Sequence, residues 1–266
     1  ATLDKLAELS IKTGVALSQG QDLLITAPYE AAPMVRRLAY HAYKEGAGVV
    51  TPFFSDPAVT LMRYEYARPD SFNRATQWLF DGMAQAFDAN TARLAVVGED
   101  PMLLSKQNPE NVGRANKALS RASSAVRERI TRFDVNWNII AWPGLAWAKQ
   151  VFPKRSDEDA QLALADAIFK ASRADQDDPI SAWGIHNKNL RMRTDWLNEK
   201  NFAALRFYGG GTDLTVGLTR DHEWMGGASV ARNGITCNPN IPSEEVFTTP
   251  HALKVEGHVY STKPLS

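Results

Sequence analysis

The chain has 266 residues, of which 30 are basic and 30 acidic, so its formal net charge is zero. Zero net charge provides no broad attraction to nucleic acid or to an anionic membrane surface, and we expect neither as a partner. Hydrophobic residues make up 44% of the sequence, as in globular proteins, and no apolar run reaches the roughly 18 residues of a membrane span. The single cysteine, Cys237, excludes an internal disulfide and favours a reducing cytoplasm.

The first two hundred residues alternate between apolar runs and segments with helical spacing. The run at residues 22–27 follows a glycine turn, and apolar residues then recur at helical spacing from Tyr29 to Glu45. Strands are also predicted at residues 48–54, 93–98 and 136–142, and helices at 145–151, at 156–172 and from Pro179 onward. This alternation predicts an α/β fold, with a parallel sheet and flanking helices.

The pattern changes near residue 203. Short β-like segments follow at residues 205–208, 214–218 and 255–261, separated by Gly, Pro and Asn clusters. We therefore expect a boundary near residue 200, with an α/β domain at 1–200 and the beginning of a β-rich (α+β) domain at 201–266. Some sixty residues would form only a small sheet, so the second domain is expected to be truncated at Ser266.

Two motifs in the second region fail as catalytic signatures. His222 and Glu223 begin like a zincin helix, but Gly226 stands where the second histidine is required. The glycines at 209–211 lack the lysine of a phosphate-binding loop and precede a β-like segment, so they predict a tight turn into a strand. In that turn, the Asp213 carboxylate is expected to accept hydrogen bonds from nearby backbone N–H groups.

The segment from Asn238 to His251 has the most chemical content. It contains the adjacent carboxylates of Glu244 and Glu245, which is also the pattern of a solvated surface pair. In an extended chain their side chains would point to opposite faces, so at most one would serve a given site. His251 would lie roughly 20 Å further along an extended chain, which argues against a shared metal ion. The other histidines with helical surroundings, His41 and His186, are expected to be capping or core-edge residues.

Several blocks in order carry a family resemblance. They are residues 178–183 followed by His186-Asn187, then residues 197–200, 211–218, 238–250 and 262–265. Over nearly its whole length the chain resembles the N-terminal portion of the thermophilic aminopeptidase family, whose members are cytoplasmic dinuclear metallo-exopeptidases.

The resemblance implies a function that the residue patterns alone do not. It implies hydrolysis of peptide substrates with two divalent metal ions, zinc or cobalt, in a homodimeric protein. It assigns a metal ligand to Glu245 in preference to Glu244, and it places the other ligands and a catalytic tyrosine beyond residue 266. No catalytic residue is therefore expected within this chain, and the isolated chain is expected to be inactive.

Two alternatives from other classes of protein remain open. An α/β unit can bind a small ligand at the carboxyl ends of its parallel strands without catalysing a reaction. The chain could also be a structural fragment or a dimerisation module with an exposed apolar face.

Overall fold

The computed structural model describes residues 2–262. The last three residues of the 262–265 block and the predicted truncation at Ser266 lie outside the described residues. The chain divides into two compact units, with breaks after Trp183, Gly227 and Pro242, so that residues 228–242 return to the first unit. The domain boundary near residue 200 remains a prediction.

The first unit contains most of the helices. They are α1 (Thr2–Leu9), α2 (Ala32–Lys44), α3 (Pro57–Tyr66), α4 (Gln77–Asp88), α5 (Pro109–Ala122), α6 (Ser124–Thr131), α7 (Leu145–Val151) and α8 (Asp157–Ala171). Helix α9 (Pro179–Lys200) begins in the first unit and continues in the second. No helix among residues 2–262 is both long enough and apolar enough to cross a membrane.

The strands form two main sheets and a short ribbon. They are β1 (Leu23–Pro28), β2 (Val50–Ser55), β3 (Ala92–Val97), β4 (Trp137–Ala141), β5 (Ala204–Gly209), β6 (Thr212–Leu218), β7 (Ser229–Val230), β8 (Thr236–Cys237), β9 (Asn240–Ile241) and β10 (Pro250–His258). The order in the first sheet is β2-β1-β3-β4-β9 with all neighbours parallel. The predicted α/β class with a parallel sheet is confirmed.

Helices cover both faces of the parallel sheet. Leu23 and Ile25 of β1 belong to a buried cluster that includes residues of α1, α2 and α8. Leu24 points to the opposite face, where it joins a cluster with Phe87 of α4 and Val126 of α6. Successive side chains of a strand alternate between faces, so one short apolar run supplies both halves of the core.

The returning segment at residues 228–242 adds the fifth strand. Ile139 of β4 pairs with Asn240 of β9, and the Asn138 side-chain amide donates to the Asn238 carbonyl at 2.7 Å. The Asn238 backbone N–H donates to the Gly14 carbonyl at 2.8 Å. A Cβ atom at Gly14 would lie only 2.8 Å from the Asn138 side chain, so this approach requires glycine. These contacts fasten a late segment of the chain into the first sheet.

The start of α9 explains the family-like block at residues 178–183. The backbone N–H and the hydroxyl of Ser181 donate to the Asp178 carboxylate at 3.0 and 2.6 Å, which caps the helix. These hydrogen bonds lower the pKa of Asp178. Trp183 is fully buried in the first unit, and its indole N–H donates to the Ser172 carbonyl at 2.7 Å. The block is therefore a helix start followed by a packing anchor.

The second unit contains an antiparallel sheet in the order β10-β6-β5. Its tight turn is confirmed, because Gly210 and Gly211 connect β5 to β6 with φ values of 57° and 84°. The expected bonds from Asp213 to backbone N–H groups were wrong, because its carboxylate accepts two hydrogen bonds from the Arg206 guanidinium, both at 2.9 Å. This pairing lowers the pKa of Asp213.

Candidate metal-ligand site

Two irregular segments of the second unit pair with each other. We name residues 243–248 the carboxylate segment and residues 222–227 the backing segment. Met225 and Phe247 exchange two backbone hydrogen bonds of 2.9 and 2.8 Å. The Thr248 hydroxyl also donates to the Glu223 carbonyl at 2.6 Å. The backing segment therefore holds the end of the carboxylate segment, at Phe247 and Thr248.

Helix α9 holds the backing segment through one side-chain amide. The backbone N–H of Trp224 donates to Oδ1 of Asn198 at 2.7 Å, and Nδ2 of Asn198 donates to the Trp224 carbonyl at 3.1 Å. One amide thus satisfies both backbone polar groups of a buried residue, as a strand neighbour would. Trp224 is a packing residue, since its exposed fraction is 7%.

Gly226 allows the two segments to approach closely. A Cβ atom at this position would lie 2.7 Å from the Glu245 carbonyl oxygen and 3.0 Å from a methyl carbon of Val246. Real Cβ atoms do not approach a carbonyl oxygen so closely, so any side chain here would displace the backbone that carries Glu245. Gly226, which stands in place of the second histidine of a zincin motif, therefore has a structural role.

The carboxylate segment has no regular secondary structure at residues 243–246, and its two glutamates have different surroundings. Glu244 lies on the side of α9, with its Oε2 atom 3.8 Å from Nε2 of His186. His186 is buried, with an exposed fraction of 8%, and the same nitrogen is 2.7 Å from the Ser243 carbonyl oxygen. The prediction that His186 is a capping or core-edge residue is confirmed in its second form, since the residue is buried.

Glu245 is exposed, and within residues 2–262 its carboxylate makes no hydrogen bond or ion pair. A carboxylate oxygen is a hard donor of the kind that divalent cations accept, so Glu245 can supply a ligand. Its neighbours in the described part of the chain do not complete a site, since no three His, Cys, Asp or Glu side chains are grouped to hold a metal ion there.

The predicted histidines are distributed over both units. His41 is buried in the first unit, with Nε2 3.1 Å from the Asp4 carboxylate. His251 lies on β10, and its Nδ1 accepts a hydrogen bond from the Leu253 backbone N–H at 3.2 Å. The contact of His41 joins two helices and that of His251 is local, and each gives its histidine a structural partner.

Comparison with known proteins identifies the family. The thermophilic metalloprotease (M29) family matches residues 1–266. The chain belongs to this family. Aminopeptidase T from Thermus thermophilus is 47% identical over 264 residues, and aminopeptidase 2 from Geobacillus stearothermophilus is 40% identical over 264 residues. These matches cover 99% of the present chain and 65% and 64% of the two relatives.

A comparison with solved structures gives the same result. Wild-type AmpT from Thermus thermophilus matches with a TM-score of 0.94 at 45% identity, over 99% of the present chain and 65% of that chain. The chain thus spans about 65% of the length of these relatives. The resemblance inferred from the sequence blocks is confirmed.

Sequence reasoning did not find the residues that hold the two segments. Asn198 lies in one of the blocks on which the M29 resemblance rests, but an exposed amide on a helical pattern carries no distinct signal. In the sequence, Gly226 stands out only because it occupies the position of the second histidine of a zincin. Their contacts join parts of the chain about 20 to 30 positions apart, and no local periodicity indicates such pairs.

Proposed function

We propose that the whole protein is a metal-dependent aminopeptidase that releases N-terminal residues from peptides. Membership of the metalloprotease family supports the metal dependence, and two relatives named as aminopeptidases support the exopeptidase activity. The observation within this chain that carries the proposal is the exposed Glu245 carboxylate, presented on a segment whose backbone is fixed on both sides.

Glu245 is the proposed metal ligand and Glu244 is not. The Glu244 carboxylate is directed toward His186, whereas that of Glu245 has no partner among residues 2–262. Two divalent ions, zinc or cobalt, supply an activated water and polarise the peptide carbonyl when bound. The role of Glu245 is to hold one ion with a carboxylate oxygen, carried by a backbone that hydrogen bonds fix on both sides.

The remaining properties of the whole protein are proposed from the resemblance noted in the sequence. We propose that it acts on peptides, forms a homodimer and resides in the cytoplasm. The buried free thiol of Cys237 is compatible with a reducing compartment. A single carboxylate cannot hold two metal ions, so we expect an isolated chain of residues 1–266 to have no peptidase activity.

The ligand assignment is tested by a matched pair of substitutions in the whole protein. Glu245→Gln keeps the size of the side chain but removes its charge, and we expect kcat/KM on a dipeptide to fall by about 100-fold or more. Metal content, measured by atomic emission after dialysis, should fall with it. Glu244→Gln is the control, and its activity and metal content should stay close to those of the wild type.

The outcome that would contradict the assignment is equally specific. A Glu245→Gln protein with normal turnover and a full complement of metal would show that Glu245 is not a ligand. Loss of metal in Glu244→Gln alone would transfer the assignment to that residue.

One cavity favours a second candidate function. It has a volume of about 440 Å³ and lies at the carboxyl ends of β2 and β3, where Ser55, Glu99 and Asp100 line it. A non-catalytic small-ligand module would use this edge of a parallel sheet. The two carboxylates repel phosphates, so nucleotides are disfavoured as ligands. Calorimetry with small cationic ligands, and with nucleotides as the control, tests the module, since tight binding of a cationic ligand without metal uptake would favour it.

A further inference from the structure

His186 contacts the carboxylate segment at its beginning. Its Nε2 atom is 2.7 Å from the Ser243 carbonyl oxygen. A carbonyl oxygen can only accept a hydrogen bond, so Nε2 must carry the hydrogen. The bond is partly buried, because His186 on helix α9 has an exposed fraction of only 8%. A buried donor of this kind fixes the orientation of the group that accepts from it.

The bond from His186 complements the contacts made by the backing segment. The Ser243 carbonyl belongs to the planar peptide unit that leads into Glu244, so holding its oxygen fixes that plane. At the other end, Phe247 is held by two backbone hydrogen bonds to Met225. Glu245 lies on the short stretch of backbone between the Ser243 carbonyl and Phe247. The direction of this stretch is determined by the hydrogen bonds at both of its ends.

We propose that His186 is a positioning residue for Glu245, acting through the Ser243 carbonyl to hold the carboxylate in the orientation that binds metal. This inference rests on the proposed function, in which Glu245 is a metal ligand. Without this hydrogen bond, the backbone before Glu245 becomes more flexible. Metal binding must then order it, and this entropic cost weakens the binding. Residues that orient a ligand commonly contribute a factor of about 10 to 100 to metal affinity.

The test compares two substitutions of nearly equal size. His186→Gln retains an N–H donor near the position of Nε2, whereas His186→Met fills the same space without a donor. Zinc and cobalt are titrated into the metal-free whole protein, and the dissociation constants are measured with a competing chelator. We expect His186→Met to weaken metal binding by about 10-fold or more, and His186→Gln to restore it to within a few-fold of the wild type.

A control separates positioning from general stability. His41 is buried to the same extent, with an exposed fraction of 8%, but it lies in the first unit and contacts Asp4. His41→Met should lower the midpoint of thermal unfolding without changing metal affinity. His186→Leu is measured as a second donor-free variant, so that the result does not depend on the folding of His186→Met alone.

The possible results are distinguishable. Normal metal affinity in both donor-free variants, together with loss of metal in Glu245→Gln, would overturn the positioning role and leave the ligand assignment intact. Equal weakening in His186→Gln and His186→Met would also overturn it, because the donor would then be irrelevant. Normal metal binding in Glu245→Gln would overturn the ligand assignment itself.

Discussion

The two sheets of this chain are built on opposite principles. Strand β1 is buried along nearly its whole length, and β3 is buried at four of its six residues, with helices covering both faces. In the second unit, β5 and β10 are exposed at nearly every position, and Leu253 of β10 has an exposed fraction of 90%. The first unit, built around the parallel sheet, therefore contains most of the buried apolar residues, and burial of apolar surface is the main source of folding free energy.

The chemically interesting residues lie on the side of this comparison with less burial. Glu245 is carried by an irregular segment of the second unit, held by backbone hydrogen bonds, by His186 and by a glycine contact. Binding residues commonly occupy such irregular segments, which are positioned by regular elements. The comparison predicts that substitutions of buried apolar residues reduce stability mainly in the first unit. In the second unit, stability should depend mainly on hydrogen bonds and on close contacts at glycine.

The largest effect should come from truncating the core of the parallel sheet. Leu94 of β3 is fully buried, so Leu94→Ala leaves a cavity and should reduce the free energy of unfolding by about 2 to 5 kcal/mol. Urea denaturation of the chain of residues 1–266, followed by circular dichroism, measures this quantity. Leu253→Ala makes the same change at an exposed site and should stay within about 0.5 kcal/mol of the wild type. Equal losses in the two variants would refute the contrast between the sheets.

The sequence predicted the first unit better than the second for physical reasons. Strands such as β1 and β3 are short apolar runs between helices with regular spacing, and both signals are local. Strand β9 escaped prediction because it has only two residues and is held by the contacts of Asn138 and Gly14, which are distant in sequence. Strand β10 was predicted at 255–261, whereas the structure places it at Pro250–His258, with an irregular register against β6 between Pro250 and Val255.

The candidate site could be predicted only in part. Resemblance to a family singled out Glu245, while alternation along an extended strand could show only that Glu244 and Glu245 would not share a face. The segment is not a regular strand, and what distinguishes the two carboxylates in the structure is the contact of Glu244 with His186. That contact spans 58 positions and depends on how α9 and the carboxylate segment pack, which no local pattern encodes.

The next largest effect tests whether residues 228–242 pack into the first unit, as the structure shows. Burial raises the pKa of the Cys237 thiol to about 11 from an ordinary value of 9.0, against a smaller opposing effect of a hydrogen bond with the Trp137 backbone. An acid with a raised pKa in the folded state stabilises the fold fully below its unfolded pKa and loses that contribution as pH rises through its folded pKa. Between pH 9 and 11 the chain should therefore lose about 2 to 3 kcal/mol.

This pH dependence is measured as a difference between two proteins. The unfolding free energy of the wild type minus that of Cys237→Ala should decrease across this pH range, which removes the contribution of other titrating groups. In addition, the native thiol should react slowly with a disulfide reagent at pH 8 and rapidly in denaturant. Rapid reaction of the native protein would place residues 228–242 outside the buried unit.

The smallest predicted effects concern two glycines of the second unit. Replacement by alanine should change the free energy of unfolding in opposite directions at the two positions. Gly184 lies on α9 with open space around it, so Gly184→Ala should stabilise the helix by about 0.5 to 1 kcal/mol. At Gly226 the added carbon would meet the Glu245 carbonyl oxygen, so Gly226→Ala should cost about 1 to 3 kcal/mol. Paired urea denaturation curves measure both changes. If Gly226→Ala leaves the free energy of unfolding unchanged, the backing segment does not support the carboxylate segment. The position of Glu245 would then be determined by α9 alone.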